Sequence, residues 1–287
     1  FILVSVQSIL KSSKTGCDKK ALYIFQSPKL EQIMSMASTG KFLIAGTMGE
    51  INGWTWESVM SSSPKLSWTI TIPKPRDRIG KTLVNSLLVR EIDNISYIYA
   101  GCGDNRIHVF SLEDGKEIRV LDGHTDYIHS INSYEQNLVS ASEDGSVRLW
   151  DLRQNSVTGI VNPHKNEMVA RPHLGKWIGD VSLKDDWLVC GGGPHLSMWR
   201  MRSLELMDVF SEVQDTGIHV ARFRCETVLA GGQSSHFYQL NYTGDVLAKL
   251  DTSSFTIYTA AYIDTPQEVY TIFIILVRIF TNGKCIG

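Results

Sequence analysis

The chain has 287 residues, 43% of them hydrophobic, and a formal net charge of −2 at pH 7. That apolar content can bury a large core, and 23 glycines against 8 prolines exclude a collagen-like or long disordered tract. The near-neutral balance argues against attraction of the whole surface to nucleic acid and leaves room only for a local basic patch.

Residues 1–6 read as the third strand of a unit whose earlier strands are missing, so an N-terminally truncated sequence is expected. Residues 12–20 follow as a polar insertion, and residues 21–25 read as an outer strand. Lys11, Lys14, Lys19 and Lys20 form the one noticeable basic cluster; without interleaved aromatics it reads as a solvated loop, with a weak RNA-phosphate contact as the sharper alternative.

A three-strand grammar then recurs. Its clearest element is an apolar strand ending in small residues, at 42–46, 97–101, 138–142, 188–192 and 228–232, as expected of strands buried on both faces. A third strand follows each, ending on Trp54, Phe110, Trp150, Trp199 and Tyr238, with Phe280 at the corresponding place near the C-terminus; the aromatics are 39 to 56 residues apart. Outer strands follow at 115–121, 204–210 and 244–250. Two long intervals carry loop insertions, at 57–79 and 154–176. Residues 270–276 lack the Gly-rich strand end, although 277–283 keep the third-strand pattern. The most apolar stretch, 272–277, is far shorter than the roughly 20 residues that span a bilayer, so a buried strand is expected there and no membrane contact.

Gly123-His124-Thr125-Asp126-Tyr127-Ile128 and Leu149-Trp150-Asp151 bound one such unit, and Gly-His and Trp-Asp at this separation resemble a WD40 blade. The resemblance implies an all-β WD40 β-propeller. Six blades are recognisable with a remnant of another, and seven are expected in the full protein because an open edge would leave backbone groups unpaired. Residues 1–287 are expected to form one domain, with 1–25 the remnant of the first blade and 271–287 an uncertain end. Blades of this family carry a buried hydrogen-bond network, and His124, Asp144 and Trp150 fit its places, with the hydroxyl from Ser140 or Ser142, which alternate onto one strand face.

Other residues suggest chemistry less well. His164, His173 and His195 lie near Cys190 at spacings unlike those of zinc ligands. Five cysteines, odd in number and scattered, suit a reducing compartment. No nucleophile elbow supports a Ser-His-Asp site, and residues 190–194 lack the Gly-Lys-Ser/Thr ending of a phosphate loop. The expectation is therefore no catalytic site, no cofactor and no metal.

Arg171-Pro172-His173, Gly175-Lys176-Trp177-Ile178-Gly179 and the run from Asp186 to Pro194 are more specific. They resemble the subunit 6 family of the THO complex. This implies a nuclear, non-enzymatic scaffold in messenger-ribonucleoprotein assembly and mRNA export, docked to other THO subunits including the coiled-coil pair of subunits 5 and 7, with RNA contact indirect. A rival comes from Trp150-Asp151-Leu152-Arg153, which resembles the Trp-Asp-x-Arg box of WD40 substrate receptors of cullin-4 ubiquitin ligases; Arg153 paired with a neighbouring carboxylate is the plainer reading. Partner-facing candidates are Arg76, Arg78 and Arg171 in the two insertions, Arg153, and Trp177 if it is exposed rather than packed between blades.

Overall fold

Each apolar, small-residue stretch is the second strand of a four-stranded antiparallel sheet in which spatial order follows chain order. The computed structural model describes residues 4–6, 23–25, 29, 31–61, 64–74, 80–153, 156–252, 255–263, 271–275, 280–281 and 284–285. The chain divides into two compact units, Phe1–Val84 with Arg278–Ile286, and Asn85–Val277 with Gly287.

In the first unit, Ser35–Ser38, Phe42–Gly46, Glu50–Thr55 and Trp68–Thr71 form the Trp54 sheet. A short helix, Trp56–Met60, leaves its third strand, capped by the Thr55 side chain, which accepts from the Ser58 amide. Its Val59 packs with Leu43, Ala45 and Trp54. Val4–Val6 pairs with Tyr23–Phe25, and Phe280–Thr281 with Lys284–Cys285. Lys11, Lys14, Lys19 and Lys20 lie outside the described residues.

Apart from Val84, which opens one strand, the second unit holds four four-stranded sheets. The Phe110 sheet is Val84–Ile92, Ile95–Cys102, Arg106–Ser111 and Glu117–Asp122. The Trp150 sheet is Ile128–Tyr134, Asn137–Ser142, Val147–Asp151 and Val157–Val161. The Trp199 sheet is Ile178–Lys184, Trp187–Gly192, Ser197–Arg200 and Leu206–Val209. The Tyr238 sheet is Ile218–Arg224, Thr227–Gly232, His236–Leu240 and Val246–Asp251. Thr259–Ile263 then pairs with Thr271–Ile275. Two-residue turns suit such hairpins: Asp93 and Asn94, with φ of 50° and 63°, match the twist of their flanking strands.

The core lies between successive sheets. Val139, Ala141 and Leu149 of the Trp150 sheet meet Val181, Leu188 and Trp199 of the next, and Val189 and Met198 meet Ile218, Val228 and Tyr238 of the one after. A repeated device sets the spacing. A Cβ at Gly101 would lie 2.8 Å from Ile128 Cγ2, and one at Gly191 would lie 2.9 Å from Ile218 Cβ. Each glycine thus lets the β-branched residue that opens the next sheet approach the second strand of the one before.

Two stretches that read as loop insertions contain regular structure. Residues 57–79 include the helix and the fourth strand Trp68–Thr71, and 154–176 include the fourth strand Val157–Val161. Both strands are short, with alternating burial, and a weak hydrophobic signal leaves an outer strand looking like a loop. What remains of the second stretch is a connection with two 3-10 turns, Pro163–Lys165 and Pro172–Leu174. No helix among the described residues is long and apolar enough to cross a membrane.

Candidate functional site

The Trp150 sheet is organised around a linear relay of side chains. Trp150 Nε1 donates to Ser140 Oγ at 2.9 Å, Ser140 Oγ lies 2.7 Å from His124 Nε2, and His124 Nδ1 lies 2.8 Å from Asp144 Oδ2. Burial favours the neutral imidazole, and for it one tautomer satisfies all of them. A carboxylate only accepts, so Nδ1 carries the imidazole proton; Nε2 then accepts the Ser140 hydroxyl proton while that oxygen accepts from the indole. Burial pushes the His124 imidazole below its ordinary value, against the opposing pull of Asp144. Burial of Asp144 favours its neutral form, but bonds from His124 and Ser146 outweigh this and hold the carboxyl below the usual range.

Ser142, grouped with this network from its strand alternation, does not reach His124. Its hydroxyl donates to the Asp126 carbonyl and accepts from the Asp144 amide. Two residues along a strand share a face but stand one pleat repeat apart, so only Ser140 lies level with the imidazole. Ser146, absent from the sequence assignment, donates to Asp144 Oδ1 at 2.6 Å. Although Ser140, His124 and Asp144 are in triad order, Ser140 is wholly buried, so the arrangement offers no nucleophile to a substrate.

The Phe110 sheet replaces this relay with a different one. His108 Nε2 lies 2.9 Å from Asp104 and Nδ1 lies 2.6 Å from Glu117. Burial lowers the imidazole, but the two carboxylates outweigh it and raise His108. Atoms of Cys102, Asp104 and His108 fall within 4.8 Å of one another, the one such metal-ligand cluster among the described residues. An imidazolium bonded through both nitrogens has no lone pair for a metal, and burial holds the Cys102 thiol well above its ordinary value, so the set fits a hydrogen-bond network better than a metal centre. His108 sits on the third strand rather than before the first, where the Gly-His pattern directs attention.

Arg171, which the sequence marks as partner-facing, is instead buried. Only 9% exposed, it donates through Nε to Gly193 O, through Nη1 to Asp215 O, and through Nη2 to Gly192 O and Pro194 O. A guanidinium has five N–H donors in a fixed fork, which suits a cluster of backbone carbonyls. Arg153, 72% exposed at its side chain, pairs with Asp151 through Nη2 at 2.6 Å and Nε at 2.9 Å, and this pairing draws Asp151 down to about 2. Trp177 is half-buried. Its ring stacks on His219 at 5.3 Å and meets His129 edge-on at 6.5 Å, while its indole donates to Leu174 O. Arg76 and Arg78 lie outside the described residues.

A further group was invisible to motif reading. Asp180 accepts from Ser130 Oγ at 2.6 Å and from the Ala221 amide at 2.9 Å, and pairs with Arg222 Nε at 2.8 Å. One carboxylate thereby joins the first strands of three sheets. Nothing in the spacing of Ser130, Asp180 and Arg222 announces this, because their meeting depends on how successive sheets are stacked.

Repeated four-stranded sheets with a Trp-Ser-His-Asp relay define a WD40 β-propeller protein. A family model described as WD domain, G-beta repeat matches residues 115–151. A chain from a structure titled Crystal Structure of Mitotic Checkpoint Complex aligns with a TM-score of 0.66 at 14% identity, over 90% of this chain and 77% of that one. A computationally designed protein, Ika8, aligns with a TM-score of 0.58 at 17% identity, over 81% and 65%. Within that class, the chain belongs to the THO complex subunit 6 family. It is 36% identical over 253 residues to THO complex subunit 6 of Drosophila melanogaster, covering 88% of this chain and 71% of the relative. It is 35% identical over 254 residues to the Homo sapiens protein of that name, covering 88% and 73%, and 22% identical over 233 residues to the Arabidopsis thaliana one, covering 76% and 61%.

Proposed function

We propose that this chain is a non-enzymatic WD40 subunit of a nuclear THO-type complex, acting as a scaffold in messenger-ribonucleoprotein assembly and mRNA export. The observation that carries this is identity above one third over 88% of the chain to relatives named THO complex subunit 6. The side chains fit a scaffold. The imidazole-carboxylate networks are buried and internally bonded, which stiffens sheets from which connections project.

The partners are other THO subunits, including the coiled-coil pair of subunits 5 and 7, with RNA contact indirect. The connection after Val157–Val161 is the proposed contact, since Met168 there is 72% exposed while Val169 beside it is fully buried. That places an apolar side chain on an anchored backbone, the arrangement of an interface anchor. Affinity purification of the tagged protein from nuclear extract tests the reading: THO subunits should co-purify, and Met168→Glu should reduce their recovery while the protein stays folded. Recovery without THO subunits overturns the assignment. The ligase-receptor alternative rests on Trp150-Asp151-Leu152-Arg153 with the strand 138–142 and Asp144 before it, and there the guanidinium is already paired with Asp151; loss of a cullin-4 adaptor on Arg153→Ala would be needed to support it.

A further inference from the structure

The connection that carries Met168 also closes one side of a cavity of about 400 Å³ beside the Trp150 sheet. Arg148 enters it from the third strand, Ile160 from the fourth, Lys165 from the turn Pro163–Lys165, and Lys176 from the residues just before Ile178–Lys184. Thr125 and Asn162 add neutral polar groups to the wall.

The charges in this cavity are unbalanced. Among the described residues, none of Arg148, Lys165 or Lys176 has a carboxylate partner. Among the described residues, Arg148 Nε is buried without a hydrogen-bond acceptor. Its guanidinium lies over Gly123, where a Cβ would come within 3.1 Å of Nη1, so the glycine of the Gly-His pair makes room for it. The one carboxylate in the lining, Asp144, is fully engaged: Oδ2 meets His124 Nδ1 and the Thr125 amide, and Oδ1 takes the Ser146 amide and hydroxyl. Three cations against one carboxylate leave the cavity with an excess of two positive charges.

We propose that this cavity binds a phosphate monoester, the phosphorylated side chain of a protein partner. A monoester carries about −1.5 to −2 at neutral pH and has three strong acceptor oxygens, which matches both the excess charge and the unmet Nε donor of Arg148. A nucleic-acid diester brings one charge per phosphate. It would also want cations strung along a groove with aromatic platforms, whereas here a single concavity is bordered by Ile160, 42% exposed, an apolar surface for the carbon stem of a phosphorylated residue. The proposal does not depend on which complex the protein joins.

Calorimetric titration of the whole protein tests it with four probes: a capped Ala-phosphoserine-Ala peptide, its unphosphorylated form, inorganic phosphate and a single-stranded oligouridylate. The phosphopeptide should bind saturably and tighter than inorganic phosphate, the unphosphorylated form should not bind, and salt should weaken the interaction. Lys165→Gln and Lys176→Gln are at exposed positions and should leave the circular dichroism spectrum unchanged; each should weaken phosphopeptide binding about tenfold, the loss of one charge-assisted contact. The proposal fails if the phosphopeptide binds no better than its unphosphorylated form, or if neither lysine substitution changes its affinity. Tighter binding of inorganic phosphate would indicate a free-anion site, and oligouridylate binding lost in the same variants would indicate RNA; either result overturns the assignment to a phosphorylated side chain.

Discussion

Arg171 Nε donates to the carbonyl of Gly193 at 2.8 Å, across 22 residues of chain. The same guanidinium holds Gly192, Pro194 and Asp215 carbonyls, so the Arg-Pro-His and Cys-Gly-Gly-Gly-Pro segments that mark the family are two halves of one contact. Arg171→Ala leaves several buried carbonyls without a donor and should destabilise the protein by about 3 kcal/mol or more, read from the urea midpoint. Arg171→Lys should not rescue it, because an ammonium lacks the planar fork. Wild-type stability in either variant would refute the clamp.

The two buried histidines should respond to pH in opposite senses. His124 is lowered in the fold, so the unfolded chain takes up the proton first, and its contribution to stability declines as pH falls below about 6.5. His108 is raised, so its contribution is full below about 6.5 and is lost as pH rises through the folded value. Imidazole resonances followed by NMR, assigned with His124→Gln and His108→Gln, should titrate on opposite sides of a model histidine; coincident titrations would contradict the two bonding patterns.

Gly191→Val should destabilise by about 1–3 kcal/mol, the range for overpacking a tight core, since even a Cβ would lie 2.9 Å from Ile218. Paired with Ile218→Ala it should recover part of the loss. Thermal melts of the single and double variants measure this, and strict additivity would exclude direct contact.

Cysteine reactivity should divide by position. Burial pushes the Cys190 thiol up to about 12, and Cys102 is likewise enclosed and raised, whereas Cys225 is exposed. Iodoacetamide on the native protein at pH 8, with peptide mapping, should label Cys225 and spare Cys102 and Cys190 until denaturant is added. Early labelling of Cys190 would show that the Trp199 sheet opens locally.

Asp180→Ala should destabilise by about 3 kcal/mol, because it strands Arg222 and removes the acceptor of Ser130 and the Ala221 amide. Chemical denaturation of Asp180→Ala and Arg222→Ala, singly and together, gives the coupling; a double variant equal to the summed singles would dismiss it.

Local pattern by itself determined the strands with a strong signal: the small-residue second strands, the aromatic that ends each third strand, and the Gly-His to Trp-Asp blade. Those features are written in two-residue alternation and in residues a few positions apart, which is the range over which a strand and its turn are specified. The outer strands Trp68–Thr71 and Val157–Val161 were lost in apparent loops because half of each faces solvent. Tertiary structure alone decided which hydroxyl meets His124, that Arg171 faces inward to four carbonyls, that Asp180 ties three sheets, and that Arg148, Lys165 and Lys176 share one cavity. The hydrogen bonds among these join residues 16 to 50 positions apart across strands and between sheets. Their geometry follows from register and sheet stacking, which no local pattern encodes.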